Sequence, residues 1–234
     1  MPTLVKSLAR RLRSRLNGAS ADPVLNPDSS EFEINSFLIS DFIIRTLVPL
    51  AGFTPFPLNE LQLMAGAVCR FRPTHIFEWG THFGTSARVF YETVTRFGIT
   101  TEIHSVDLPE NVQHVEHPHS KRGVLVRNRP GVFLHLGDGL EVSLGLLRSL
   151  PESCRPLFFL DGDHEYSSVR RELDGILRSI EDPKILLHDT FFQSEDSGYN
   201  IGPHLAIEAA LNEHKRPLRV ISTKTGLPGM TLIY

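Results

Sequence analysis

With 234 residues, 41% of them hydrophobic and 22% charged, the chain is long enough for one large domain with a sizeable core and too apolar to be disordered throughout. A net charge of -3 excludes a broad basic face for nucleic acid, so the expected partner is a small molecule. The longest apolar stretch, residues 37–53, is broken by Asp41 and Arg45 and falls short of the roughly 18 residues of a membrane span. Cys69 and Cys154 lie too far apart for a zinc-type pair and read as buried thiols of a reducing, cytoplasmic compartment.

Residues 1–17 read as a basic amphipathic helix, with Lys6, Arg10, Arg11, Arg13 and Arg15, no acid, and Leu4, Leu8, Leu12 and Leu16 at every fourth position. Three roles stay open for it: contact with a protein partner or with this chain's own body, peripheral contact with a membrane surface, or targeting. Residues 18–30 are rich in Gly, Ala, Ser, Asp, Asn and Pro and read as a linker. Residues 31–60 form an accessory helical segment whose Ile39, Ile43, Leu47 and Leu50 should face a main domain over 61–234. A homo-oligomer is expected.

Across 61–234 short apolar runs alternate with amphipathic ones, the pattern of a parallel sheet covered on both faces. Strands are expected at 75–79, 102–107, 132–136, 156–161 and 184–188, and helices at 61–71, 84–97, 140–150, 167–180 and 202–213. Strands at 217–223 and 230–234 flank Gly226-Leu227-Pro228-Gly229 and should pair antiparallel. The fold class is therefore α/β, a doubly wound, mostly parallel seven-stranded sheet with a terminal antiparallel hairpin and an N-terminal helical appendage.

Ligands of such sheets bind beyond the carboxyl ends of the strands. Those ends carry Glu78 and Gly80, Asp107, Gly137 and Asp138, then Asp161, Asp163 and His164, and finally His188 and Asp189, so each of the five has an acid. Against the dinucleotide pattern G-x-G-x-x-G counted from Gly80, His82 and Thr85 stand where glycines belong, which disfavours a pyrophosphate. Glu78 suits instead a ligand with an ammonium group, such as the methionine end of S-adenosylmethionine (SAM). Asp107, 23 positions after Gly84, is placed to bind ribose hydroxyls; Asp138 can accept from an adenine amino group, though Gly137-Asp138-Gly139 alone also reads as a plain turn.

The run Glu78 to Ser86, Asp107, Gly137-Asp138, Asp161-Gly162-Asp163-His164 and His188-Asp189-Thr190 resembles the class I SAM-dependent methyltransferases. Within them it is most similar to the small-molecule O-methyltransferases of the macrolide-sugar and cephalosporin-pathway type. The resemblance implies a cofactor set of Glu78, Gly80, Thr81, Gly84, Ser86, Asp107, Gly137 and Asp138, and a hydroxyl acceptor that is a sugar, a glycan or a polar natural product. His82 departs from a glycine common in the wider superfamily.

A hydroxyl is a poor nucleophile near neutral pH. Asp161 and Asp189 are natural hard ligands for a divalent cation that would polarise it, and His188 beside them would shift preference from Mg²⁺ towards Mn²⁺. A metal-free site with His188 hydrogen-bonded at the sheet end stays open. His164 is the candidate general base, with Asp163 a rival or an orienting partner, and both are also candidates for capping the next helix. His114, His117 and His119 read as a solvated or lid loop, while Lys121, Arg122 and Arg127 are candidates for an acidic group of the substrate. Two other functions remain: a metal-independent SAM enzyme with a nitrogen or lipid acceptor, and a non-catalytic SAM-binding or assembly module.

Overall fold

The computed structural model describes residues 35–109, 111–112 and 119–234. The helix expected over 1–17, the linker over 18–30, and His114 and His117 lie outside these residues.

Helix α1 (Ser36–Phe42), N-capped by the Asn35 side chain, runs through a π-helical turn (Ile43–Leu47) into α2 (Val48–Ala51). The sequence explains the π turn. Apolar residues spaced by four run about 40° ahead per step around a 3.6-residue helix, and a wider turn restores them to one side. Ile39, Ile43 and Leu47 are accordingly buried, whereas Leu50, expected on the same side, is 42% exposed beyond the turn.

The sheet contains β1 (His75–Trp79), β2 (Glu102–Asp107), β3 (Val132–Leu136), β4 (Pro156–Leu160), β5 (Ile185–His188), β6 (Val220–Ser222) and β7 (Met230–Ile233). Their spatial order is β3-β2-β1-β4-β5-β7-β6, parallel except for β7, which runs antiparallel to both β5 and β6. The order reverses between β1 and β4, so a crevice opens at the carboxyl ends of those two strands.

Both faces of the central strands are covered, which is why these strands are apolar at nearly every position rather than at alternate ones. On one face Ile76, Leu157, Phe159 and Leu186 pack with the first helices, α3 (Leu58–Phe71) and α4 (Thr85–Arg96). On the other, Phe77, Phe158, Leu160 and Leu187 pack with α5 (Gly139–Leu147), α6 (Tyr166–Ser179) and α7 (Ile201–Glu213). No helix among the described residues is long and apolar enough to cross a membrane.

Phe159 is fully buried and meets Phe90 and Phe56 edge-on, with centroids 5.4 and 5.9 Å away. Truncation to alanine removes a ring at the junction of β4 with α4 and the α2–α3 connection. Phe159→Ala is expected to cost about 3–5 kcal/mol in chemical denaturation. A loss below about 1 kcal/mol would mean that this junction can collapse around the missing ring.

Candidate functional site

Glu78, the fourth residue of β1, is completely buried. Ser105 of β2, its register partner, donates its hydroxyl to Glu78 Oε1 at 2.5 Å, and the Thr81 hydroxyl lies 2.6 Å behind Ser105. Glu78 Oε2 has no hydrogen-bond partner. Burial pushes the Glu78 carboxyl up to about 8, against the hydroxyls of Ser105 and Ser86, which favour ionisation. A buried carboxylate with a vacant oxygen is a site for a cation. Thr81 and Ser86, expected to touch the cofactor, are themselves buried and support Glu78.

The turn after β1 is tight because it meets the next strand end. A Cβ on Gly80 would lie 2.1 Å from the carbonyl oxygen of Asp161, and Gly80 has φ +95°. Gly84, with φ +84°, abuts Val126 and Gly123. His82 takes φ +43°, a left-handed conformation that glycine adopts more readily.

Asp107, at the end of β2, accepts from Leu108 N at 2.7 Å through Oδ1, and from His82 N at 3.2 Å and Arg122 Nε at 3.0 Å through Oδ2. Arg122 also donates to Leu108 O, Arg127 donates to Ser120 O and Arg122 O, and Lys121 lies over the Phe83 ring. Arg122 and Arg127, which the sequence offers with Lys121 as candidates for an acidic substrate group, thus help shape the β2–β3 connection.

Gly137, with φ +144°, ends β3 and donates its N–H to Asp107 O. Asp138 N-caps α5 by accepting from Glu141 N at 2.9 Å, and forms an ion pair with Arg171. Its carboxylate therefore has two local partners in addition to any adenine.

At the ends of β4 and β5, one carboxylate oxygen each from Asp161 and Asp189 and a ring nitrogen of His164 lie within 4.8 Å of one another. His164 Nε2 is 3.1 Å from Asp189 Oδ2 and 3.9 Å from Asp161 Oδ1. Asp189 has φ +54°, a left-handed conformation that aspartate tolerates, which turns its carboxylate towards the two histidines. The two carboxylates raise His164 to about 10 against the opposing effect of burial.

The sequence groups His188 with the two aspartates as ligands, whereas the structure brings His164 to them from the crevice side. The structure places His188 behind them, with Nδ1 2.9 Å from Asp161 Oδ1 and 3.1 Å from Asp189 Oδ2, and Nε2 3.0 Å from Glu60 Oε2. Both ring nitrogens thus face carboxylates, Nδ1 the pair at the strand ends and Nε2 the buried Glu60. Asp163 accepts from Glu165 N and from the Ser168 hydroxyl and so braces the turn before α6, whose N-cap, Glu165, has no side-chain cap bond.

Glu60, Phe56 and Ser105 were not singled out from the sequence. Glu60 is fully buried at the start of α3, accepts from Gly229 N at 2.8 Å and so ties α3 to the start of β7. Phe56 packs edge-on against the His188 ring at 4.9 Å. The available signals were an acid between Leu58 and Leu61, and a serine within the apolar run of β2.

Residues 77–190 match a family model described as a methyltransferase domain. No curated protein matches the chain. Solved structures with the same fold include a putative O-methyltransferase from Klebsiella pneumoniae, at 19% identity and TM-score 0.53, covering 84% of this chain and 89% of its own. A methyltransferase from Podospora anserina bound to S-adenosylhomocysteine (SAH) has 18% identity and TM-score 0.54, with coverages of 88% and 98%. A TDP-rhamnose 3'-O-methyltransferase of calicheamicin biosynthesis has 16% identity and TM-score 0.53, with coverages of 83% and 86%. At these identities the likeness establishes the fold.

The raised Glu78 carboxyl has a measurable consequence. Its folded-state value of about 8 exceeds its ordinary 4.5, so its contribution to stability is full below about pH 4.5 and is lost as pH rises through about 8. Glu78→Gln lacks this titration. In ligand-free protein, the melting temperature of Glu78→Gln relative to wild type is expected to climb between pH 5 and pH 8 and level off above about 9. A constant difference across that range would show that Glu78 ionises normally.

Proposed function

We propose that this chain, a class I SAM-dependent methyltransferase, transfers the methyl group of SAM to a hydroxyl of a small polar acceptor such as a sugar, a glycan or a polar natural product. The observation that carries this reading is the convergence of Asp161, His164 and Asp189 at neighbouring strand ends, across the crevice from Glu78. The sugar hydroxyl methylated by the structurally similar TDP-rhamnose enzyme supports this acceptor class.

SAM supplies an electrophilic methyl group on its sulfonium and carries an ammonium group on its amino-acid end. The vacant oxygen of buried Glu78 fits the ammonium group, and binding there would offset the burial of that carboxylate. Asp107 would hold the ribose, sharing its carboxylate with Arg122 and the His82 amide. Gly80 and Gly84 let the backbone turn close to the ligand. Gly137 and Asp138 border the adenine end, where Arg171 limits the acceptor capacity of Asp138.

The donor set fits a divalent cation held by Asp161, Asp189 and His164, with His188 as a positioning residue. Such an ion acts as a Lewis acid on the acceptor hydroxyl. Two carboxylates and one imidazole suit Mn²⁺ or Mg²⁺. A metal-independent reading rests on one observation. His164 lies against both carboxylates and is raised to about 10, so without an ion it is protonated at neutral pH and is an ineffective base. In that form it orients the acceptor by donating a hydrogen bond.

The activity is tested by SAH release from SAM with a panel of nucleotide-linked sugars, sugar-bearing natural products and amines, with the methylated atom located by mass spectrometry. Methylation of amines alone would refute the hydroxyl acceptor. Asp107→Ala is expected to weaken SAM binding by roughly tenfold or more. Asp161→Asn and His164→Ala should retain SAM binding and lower kcat/KM by roughly 100-fold or more. Exhaustive chelation should abolish turnover and Mn²⁺ should restore it; full activity after chelation would leave the metal-independent reading.

A further inference from the structure

A second cluster of donor side chains lies at the opposite end of the sheet, away from the crevice. His75 opens β1 and Glu102 opens β2, and the register sets them side by side, with His104 next to Phe77. Because strand side chains alternate, residues 75, 102 and 104 project to one face, the one packed with α5, α6 and α7. His75 Nε2 and His104 Nε2 each lie 3.6 Å from Glu102 Oε2, too far for a hydrogen bond. The three donor atoms fall within 4.8 Å of one another.

The other nitrogen of each ring is already engaged. His75 Nδ1 is 3.0 Å from the Thr74 hydroxyl and 3.2 Å from Cys154 Sγ, while His104 Nδ1 is 3.1 Å from His135 Nε2. The His104 ring is also clamped by stacking, between Phe77 at 5.1 Å and Phe133 at 5.2 Å. With its side chain only 9% exposed, His104 nonetheless leaves Nε2 without a hydrogen-bond partner. A buried ring nitrogen left unpaired is costly, and so calls for a ligand.

We propose that His75, Glu102 and His104 form a zinc-type divalent metal site, with His135 and Thr74 orienting the two imidazoles and half-exposed Glu102 marking the side open to solvent. Ligands at about 2.0–2.2 Å from a tetrahedral zinc lie roughly 3.4 Å apart, close to the 3.6 Å of each histidine nitrogen from Glu102 Oε2. Two imidazoles with one carboxylate suit zinc or cobalt, whereas the pair of aspartates at the crevice favours harder ions. Each ring nitrogen that faces the site has its opposite nitrogen hydrogen-bonded, the arrangement that fixes tautomer and orientation in metal-ligating histidines. The ion would brace the amino ends of β1 and β2 and add to folding stability.

The test is titration of metal-free full-length protein with Zn²⁺ against a chromogenic chelator, with Co²⁺ absorption as the spectroscopic readout. Wild type should bind zinc, gain thermal stability from it, and show the visible absorption of tetrahedral cobalt. Glu102→Gln, at a half-exposed position that tolerates the change, should lose this stoichiometric site, as should His104→Phe, which preserves the stack. His135→Leu should lower affinity by about 10–100-fold. Asp161→Asn should retain the site. Zinc affinity unchanged in Glu102→Gln, or folded wild type that binds no zinc, would overturn the proposal.

Discussion

His188 lies below the surface with Glu60, Asp161 and Asp189 around it, and this shared imidazole joins parts of the chain that are distant in sequence. Burial alone would strip its proton, but the three carboxylates hold it, up to about 12. Burial likewise opposes ionisation of Asp189, yet His164 and His188 keep its carboxyl well below the usual range. Charges taken out of water persist only when each finds a partner. Here the partners come from α3, β4 and β5, and the second oxygen of Glu60 adds the start of β7. The geometry of the crevice therefore depends on the packing of the first helix of the domain as much as on the strand ends that form its floor.

The same principle separates the two acids that flank the β1 turn. Glu78 is buried with hydroxyl partners and one vacant oxygen, whereas Asp107 is nearly saturated by two backbone amides and an arginine. One keeps an oxygen free of any protein donor, and the other is tied into the loop by three donors. The Thr81, Ser105 and Glu78 side chains form a hydrogen-bonded row that orients the vacant oxygen before any ligand arrives.

Much of this was legible in the sequence because the strands are short apolar runs that end abruptly at polar residues, even at the largely exposed edge strand β3. The expected strands at 75–79, 102–107 and 132–136 match β1, β2 and β3 residue for residue. What was not legible is which polar group engages which. Asp138 and Asp163 are aspartates just before helices, and the residue type that caps a helix is the same one that holds a ligand. His164 and His188 look equivalent as letters. Glu60 distinguishes them by occupying the second nitrogen of His188, and it does so across 128 positions that no local pattern connects.

His82 shows how a fold can dispense with a glycine. A left-handed residue with a side chain is strained, and such strain persists where the surroundings over-determine the backbone. The His82 amide donates to Asp107 Oδ2, and its carbonyl accepts from Gly123 N at 2.8 Å. The next carbonyl, of Phe83, accepts from Leu125 N at 3.0 Å, and Arg88 of α4 donates back to Leu125 O. The β1 turn and the connection before β3 are thereby laced into one unit, with Arg122 and His82 meeting on the same oxygen of Asp107. Any ligand that engages Asp107 also acts on this unit, so the conformation of residue 82 is coupled to the occupancy of a carboxylate 25 residues away.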